Sequence, residues 1–213
     1  DQAAQLAYAY PGMATEIRAK LSLRLAELVP GDLNTFFYTL GGAEANENAL
    51  RMAFNMAFKM TRRTRVVAIE NGWHGRTAAA GAITWGADKK WYEFPRTPFD
   101  VGWVPRRDVA AIPGVVGEDV AAVVVEPVQG VGGAFDMGAE FLAALRARCD
   151  AVGAQLIFDE VQIGVGRSGQ PFAADLYGVR PDMITTAKAL GNGFPCGALL
   201  MTPAVTAALK LEG

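Results

Sequence analysis

Two charged residues, a carboxylate and an amine, follow apolar stretches of sequence where charge is unusual, and both are residue types that can take part in catalysis. Asp159 ends the apolar run Gln155–Asp159, so a strand formed by that run would bury its carboxylate. A buried carboxylate requires a cationic partner, and none of its sequence neighbours supplies one. Lys188 follows the apolar run 183–187, and an amine in apolar surroundings is a stronger nucleophile, as Schiff-base chemistry requires. Each residue taken alone is equally consistent with a structural ion pair.

Three small residues, Gly41, Gly42 and Ala43, lie between a predicted strand and a predicted helix. Backbone N–H groups and the helix dipole at such a junction can hold a phosphate, although an ordinary tight turn has the same sequence. The P-loop pattern is missing, because no Gly-Lys-Ser/Thr follows. A phosphate cradle, a buried acid and a desolvated lysine together indicate pyridoxal phosphate (PLP), whose ring nitrogen needs an acidic partner.

The composition excludes several other kinds of protein and site. With 51% hydrophobic and 20% charged residues in 213 positions, the chain can bury a core. A net charge of −2 gives no electrostatic footprint for nucleic acid, and no apolar run approaches the length of a membrane span. One histidine excludes a site with two imidazoles, and two cysteines are too few for a disulfide scaffold. We interpret that histidine, His74, as a satisfied, partly buried side chain.

A second glycine-rich segment, residues 164–169, fits the pattern G-x-G-x-x-G of dinucleotide-binding sites. Pro171 interrupts the next segment, so no clean helix opens there, and the pattern comes late in the chain. We therefore predict a glycine-rich loop rather than a Rossmann site.

Solid apolar runs alternate with helical patterns and predict the elements that would position these residues. We predict strands at 35–39, 66–70, 120–126, 155–159, 182–186 and 197–201. The stretch from Ala82 to Val115 is interpreted as an irregular surface excursion. This alternation indicates one α/β domain with a mostly parallel sheet, and ligands bind beyond the carboxyl ends of such strands.

Five motifs, found in order along the chain, resemble those of the class III aminotransferases, which are PLP enzymes of fold type I. The segments that carry the resemblance are 39–47, 73–77, 125–130, 158–164 and 187–191. Residues 159–202 look most like the acetylornithine group. The resemblance implies a three-layer α-β-α sandwich in which residues 1–213 form an incomplete PLP-binding large domain. The N-terminal segment and the C-terminal small domain of the family are expected to be absent.

The resemblance also implies the roles of the residues around the cofactor. Lys188 would form the Schiff base with PLP, and Asp159 would pair with the ring nitrogen. Gly41, Gly42 and Ala43 would bind the phosphate through their backbone amides.

Further roles follow from the same motifs. Trp73 would stack on one face of the ring, Val161 would pack on the other, and Gln162 would sit near the ring hydroxyl. Arg76 resembles the arginine that holds the α-carboxylate of ornithine-type substrates, since a planar fork suits a carboxylate. Glu126 matches a glutamate at the substrate pocket that often gates a second arginine.

The sequence departs from the family pattern at a few positions. Leu40 and Gly41 stand where a polar pair is more usual, and Trp73 enlarges the usual Phe or Tyr. Ile163 replaces a common Thr, and Val131 replaces a common Glu. These departures bear on the substrate rather than on the cofactor chemistry.

The function implied is transfer of an amino group from an ω-amino donor, acetylornithine- or ornithine-like, to a 2-oxo acid such as 2-oxoglutarate. The alternatives are a 4-aminobutyrate or other ω-amine transaminase, or an aminomutase, epimerase or decarboxylase on the same fold. The intact Lys188 disfavours a non-catalytic relative. The family implies a homodimer with shared active sites and a cytoplasmic location, without a metal, nucleic-acid or membrane partner. We expect residues 1–213 alone to bind PLP weakly, because a neighbouring subunit normally completes the phosphate site.

Overall fold

The computed structural model describes residues 2–6, 9, 13–60, 63–86 and 97–208. The helices are α1 (Gln2–Gln5), α2 (Glu16–Ala26), α3 (Gly42–Met60), α4 (Ala78–Ala82), α5 (Ile112–Val115), α6 (Ala139–Val152), α7 (Ala173–Tyr177) and α8 (Pro203–Ala208), with a 3-10 helix at Lys188–Leu190. The strands are β1 (Thr35–Thr39), β2 (Arg65–Ile69), β3 (Val101–Val104), β4 (Val120–Val125), β5 (Val128–Gln129), β6 (Phe135–Asp136), β7 (Gln155–Asp159), β8 (Met183–Thr186) and β9 (Gly197–Met201).

Seven of these strands form one sheet in the order β1-β9-β8-β7-β4-β2-β3, and β5 pairs with β6 in a separate hairpin. β9 runs antiparallel to both of its neighbours, β1 and β8, whereas the other pairs of the large sheet are parallel. β4 is buried at every residue, as its unbroken apolar sequence predicts for a strand covered on both faces. The prediction of an α/β fold with a mostly parallel sheet is confirmed.

Helices cover both faces of the sheet, and each face has its own apolar core. Val67 and Ile69 of β2 belong to the core that contains α6, whereas Val66 and Ala68 belong to the core that contains α3. This division follows from the two-residue period of a strand, which points successive side chains to opposite faces. The result is the three-layer α-β-α sandwich that was expected.

The stretch from Ala82 to Val115 is more ordered than its sequence indicates. Val101–Val104 forms β3 and pairs in parallel with β2, and Ile112–Val115 forms α5. The prediction of an irregular excursion is therefore wrong for these residues. A four-residue strand containing Gly and Trp gives little local signal, and its pairing with β2 is what stabilises it. Residues 87–96 of the stretch lie outside the described residues.

The glycine-rich segment 164–169 forms a series of turns, and the next helix begins only at Ala173. Gly166 and Gly169 each have a φ of 87°, a left-handed conformation that favours glycine. The predicted glycine-rich loop is confirmed.

Within the ranges that the structure describes, no helix combines the length and apolar character needed to cross a bilayer. In the same ranges, the His, Cys, Asp and Glu side chains form no group of three or more that could hold a metal ion.

Candidate active site

A cavity of about 660 Å³ lies at the carboxyl ends of β1, β4, β7 and β8, where open α/β sheets bind ligands. All of the predicted site residues line this cavity: Gly41, Gly42, Ala43, Trp73, Arg76, Glu126, Asp159, Val161, Gln162 and Lys188. The sheet gathers them, because strands that are distant in sequence end at the same edge. Their placement together agrees with the sequence analysis, while their individual roles stay predictions.

Asp159, at the end of β7, has a buried carboxylate whose two oxygens have different partners. Oδ2 accepts hydrogen bonds from Asn46 Nδ2 and pairs with His74 Nδ1, each at 2.7 Å. Oδ1 accepts a hydrogen bond from the backbone N–H of Val161 at 3.0 Å. The carboxylate is therefore held in one orientation by three separate parts of the chain.

His74 is the buried titratable side chain that contacts Asp159. Burial by itself would lower the pKa of His74, but the hydrogen bond to Asp159 and the charges of Asp159 and Glu126 raise it above its ordinary value. The interpretation of His74 as a satisfied side chain is therefore incomplete. The ring is almost fully buried, Nδ1 contacts the site's acid, and Nε2 has no hydrogen-bond partner among the described residues.

Asn46, in the second turn of α3, belongs to the same buried network and was missed by the sequence analysis. Its Nδ2 donates to Asp159 Oδ2 and, at 2.9 Å, to the backbone oxygen of His74. Its Oδ1 accepts a hydrogen bond from Thr185 Oγ1 at 2.7 Å. One signal in the sequence was available. Asn46 precedes Ala49 and Ala53 at helical spacing, so it lies on the buried face of the helix, where an apolar residue is usual.

Lys188 begins the 3-10 helix that follows β8, with a φ of 41°. Its Nζ donates a hydrogen bond to Gln162 Oε1 at 2.7 Å. The expectation that apolar surroundings desolvate Lys188 is wrong for this chain, where the side chain is exposed. The apolar residues before it belong to the buried strand β8, whereas Lys188 itself lies beyond the strand end and on the open side of the cavity.

Glu126 follows β4 and is almost fully buried at the back of the cavity. Its Oε1 accepts the backbone N–H of Trp73 at 2.7 Å, and its Oε2 accepts that of Gly130 at 3.1 Å. Burial raises the pKa of Glu126, with the charge of Asp159 acting in the same direction and that of His74 against it. The carboxylate thus fixes two loops of the site, and its proposed contact with an arginine stays a prediction.

Trp73 and Arg76 come from one loop and lie side by side. The guanidinium carbon of Arg76 is 5.9 Å from the centroid of the Trp73 ring, a cation–π distance. Gly75, between them, has a φ of 130°, and a Cβ there would come within 2.5 Å of the Ala43 Cβ. Only glycine lets this loop approach the start of α3.

Gly42 packs directly against Val161. A Cβ on Gly42 would lie 2.6 Å from Val161 Cγ1, whereas a Cβ on Gly41 would meet nothing within 4 Å. We expect Gly42→Ala to lower the free energy of unfolding of the whole protein by about 1–3 kcal/mol, the usual cost of overpacking. Gly41→Ala is the matched control and should change it by less than about 0.5 kcal/mol. Urea unfolding measures both, and equal losses would contradict the contact.

Glu160 lies directly behind the site and is fully buried. Its carboxylate oxygens accept the backbone N–H groups of Ala173 at 2.6 Å and Ala174 at 3.0 Å, so it caps α7. Burial raises the pKa of Glu160 to about 7; the two N–H groups act against this shift, and the charges of Asp175 and Asp159 add to it.

The raised pKa of Glu160 predicts a pH dependence of stability. Between about pH 4.5 and 7 the folded state holds a proton on Glu160 that the unfolded state releases, so the free energy of unfolding falls as pH rises. We expect a fall of up to about 3 kcal/mol from this group, which Glu160→Gln should remove. Urea unfolding of both proteins on either side of this range measures the difference. An identical pH dependence in the two proteins would contradict the assignment.

Comparison with known proteins gives the family of this chain. The profile of the class III aminotransferases matches residues 1–213, which is the whole chain. The chain belongs to the class III aminotransferase family. A similar curated relative is an acetylornithine/succinyldiaminopimelate aminotransferase from Yersinia pestis. It is 41% identical over 195 residues, which cover 89% of this class III aminotransferase chain and 48% of the relative.

Solved structures of transaminases have the same fold as this class III aminotransferase chain. A transaminase from the marine bacterium Virgibacillus matches with a TM-score of 0.87 and 26% identity, over 98% of this chain and 51% of its own. An (S)-enantioselective omega-transaminase from Thermomicrobium roseum matches with a TM-score of 0.88 and 30% identity, over 98% and 52%. The chain thus spans about half the length of these relatives.

Proposed function

We propose that the protein containing this chain is a PLP-dependent aminotransferase. It moves an amino group from an acetylornithine- or ornithine-like donor to a 2-oxo acid such as 2-oxoglutarate. The observation that carries the proposal is a single cavity that holds an amine, Lys188, and a buried carboxylate of fixed orientation, Asp159. Family membership and the 41% identical aminotransferase support it. Residues 1–213 would form the PLP-binding large domain.

The residues of the cavity fit PLP. The first turn of α3 has backbone N–H groups at Gly42 and Ala43 that the helix itself does not use, and these suit a phosphate. Among the described residues only Val161 donates to Asp159 Oδ1, which leaves that oxygen able to accept a ring N–H. When bound, PLP supplies the electron sink that amino transfer requires.

Lys188 is the residue to which we assign the covalent attachment of the cofactor. Its Nζ is also the group that would take a proton from the substrate carbon and return it, acting first as base and then as acid. Gln162 Oε1 orients Nζ through the hydrogen bond described above. The exposed position of Lys188 leaves the amine accessible from the open side of the cavity.

Arg76 would bind the carboxylate of the donor. Its exposed guanidinium lies over the Trp73 ring, on which the PLP ring would stack. We expect Arg76→Lys to raise the KM of carboxylate-bearing donors by about tenfold or more, because an ammonium group cannot form the bidentate pair. Donors without a carboxylate serve as the matched control and should be unaffected. An equal change for both kinds of donor would contradict the assignment.

A donor panel tests the proposed reaction. The whole protein is loaded with PLP and assayed with acetylornithine, ornithine and 4-aminobutyrate, each with 2-oxoglutarate as acceptor. The proposal expects the highest kcat/KM with acetylornithine or ornithine. A preference for 4-aminobutyrate would support the alternative ω-amine transaminase, and an isomerised or decarboxylated product would support another PLP enzyme on this fold. Absence of amino transfer from every donor would contradict the proposal.

The active form would be a cytoplasmic homodimer whose subunits share their active sites. Two apolar side chains at the cavity, Leu40 and Phe194, are 69% and 81% exposed in the single chain. Such exposed apolar surface is typical of an interface and supports a second subunit covering the cavity mouth.

A further inference from the structure

The side-chain amide of Asn46 forms hydrogen bonds with three groups from three parts of the chain. It donates to Asp159 Oδ2 and to the backbone oxygen of His74, and it accepts from the Thr185 hydroxyl. An amide offers two N–H donors and one oxygen, so no other arrangement satisfies the same partners. The backbone oxygen of His74 can only accept a hydrogen bond, so it requires the NH₂ group, rather than the oxygen, on the side of Asp159.

The hydrogen bonds on Asp159 are distributed unevenly as a result. Oδ2 has two partners at 2.7 Å, from Asn46 and His74, whereas Oδ1 has one at 3.0 Å, from the N–H of Val161. Asn46 therefore holds Oδ2 in place and leaves Oδ1 as the oxygen with spare accepting capacity.

Asn46 also connects the elements that carry the other parts of the site. It lies in α3, four residues after Gly42, and Thr185 lies in β8, three residues before Lys188. Asn46 and Thr185 are both buried, as is Asp159 at the end of β7. The Asn46 amide thus connects the helix that begins at the predicted phosphate site, the carboxylate of Asp159 and the strand that precedes Lys188.

We propose that Asn46 is a positioning residue that sets the orientation of Asp159 toward the ring nitrogen of the cofactor. The inference rests on the proposed function, in which Asp159 faces that nitrogen. Loss of one hydrogen bond to a charged group should weaken PLP binding roughly tenfold to a hundredfold. It should also shift the ring nitrogen toward its unprotonated state, because the opposing carboxylate is no longer held facing that nitrogen.

The test uses the whole protein loaded with PLP labelled with ¹⁵N in the ring, and it records the ¹⁵N chemical shift and the dissociation constant. Asn46→Leu keeps the size of the side chain but removes its hydrogen bonds. Thr185→Val removes the hydroxyl that donates to the amide oxygen, and it decides the question if Asn46→Leu does not fold. Asn48→Ala is the matched control, since Asn48 lies on the same helix and its Nδ2 donates to the Glu44 backbone oxygen.

We expect Asn46→Leu to move the ¹⁵N signal toward that of an unprotonated pyridine, Thr185→Val to move it less, and Asn48→Ala to leave it in place. Asp159→Asn, measured in parallel, separates the proposed role of Asp159 from the proposed role of Asn46. If Asp159→Asn leaves the signal unchanged, the proposed role of Asp159 is wrong. If Asp159→Asn moves the signal and neither Asn46→Leu nor Thr185→Val does, the inference about Asn46 is wrong and the proposed function stands.

Discussion

Replacing Lys188 with alanine should lower kcat for amino transfer by about 10⁴-fold, the upper end of the range for general acid–base catalysis. The loss is large because one amine is assigned two tasks, covalent attachment of the cofactor and proton movement at the substrate carbon. Stopped-flow absorbance of the PLP-loaded whole protein, followed by steady-state assay with the preferred donor, measures the loss.

Two comparisons separate this loss from a change in folding. Lys20→Ala removes an exposed lysine of α2 that pairs with Glu16, and it should leave kcat unchanged. A small primary amine added to the Lys188→Ala protein should restore part of the proton movement. Activity of the Lys188→Ala protein close to that of the wild type would contradict the assignment.

Asp159→Asn should lower kcat by about 10²–10³-fold, the usual effect of removing one preorganised electrostatic contact from an active site. The substitution keeps the size of the side chain but replaces a buried negative charge with a neutral amide. It also removes the charge that raises the pKa of His74, so the imidazole should lose its proton at a lower pH. Steady-state kinetics at saturating PLP measures the first effect.

The control for Asp159→Asn is Asp175→Asn. Asp175 is an acid of α7 that the structure leaves exposed, and its replacement should leave kcat unchanged. Kinetics of Asp159→Asn that match those of Asp175→Asn would mean that the buried carboxylate has no part in the reaction.

The sequence alone predicted that Asp159 and Lys188 lie at one site, and the fold explains why they do. Each is a charged residue directly after an apolar run, and the ends of neighbouring parallel strands meet at one edge of a sheet. Gly42 lies beside them for the same reason. β1 and β8 both run antiparallel to β9, so β1 ends at the same edge of the sheet as β8. Strand periodicity and small residues are local signals, so they can be read without knowing the tertiary contacts.

Asn46 and His74 could not be assigned in this way. Asn46 lies 113 positions from Asp159 and 139 from Thr185, so its role depends on pairings that only the folded sheet creates. The exposure of Lys188 was missed for a related reason, since the apolar residues before it indicate a buried strand but not where that strand ends. The strand Val101–Val104 depends likewise on its neighbour β2.

The measurement that tests the central claim most directly is a borohydride trap on the PLP-treated whole protein, followed by peptide mass mapping. Borohydride reduces the link between PLP and an amine to a stable bond, so the modified residue can be identified. We expect a pyridoxyl phosphate group on Lys188 and none in a parallel sample of Lys188→Ala. A folded protein with no adduct, or with the adduct on another lysine, would contradict the assignment of Lys188 and of this cavity as the PLP site.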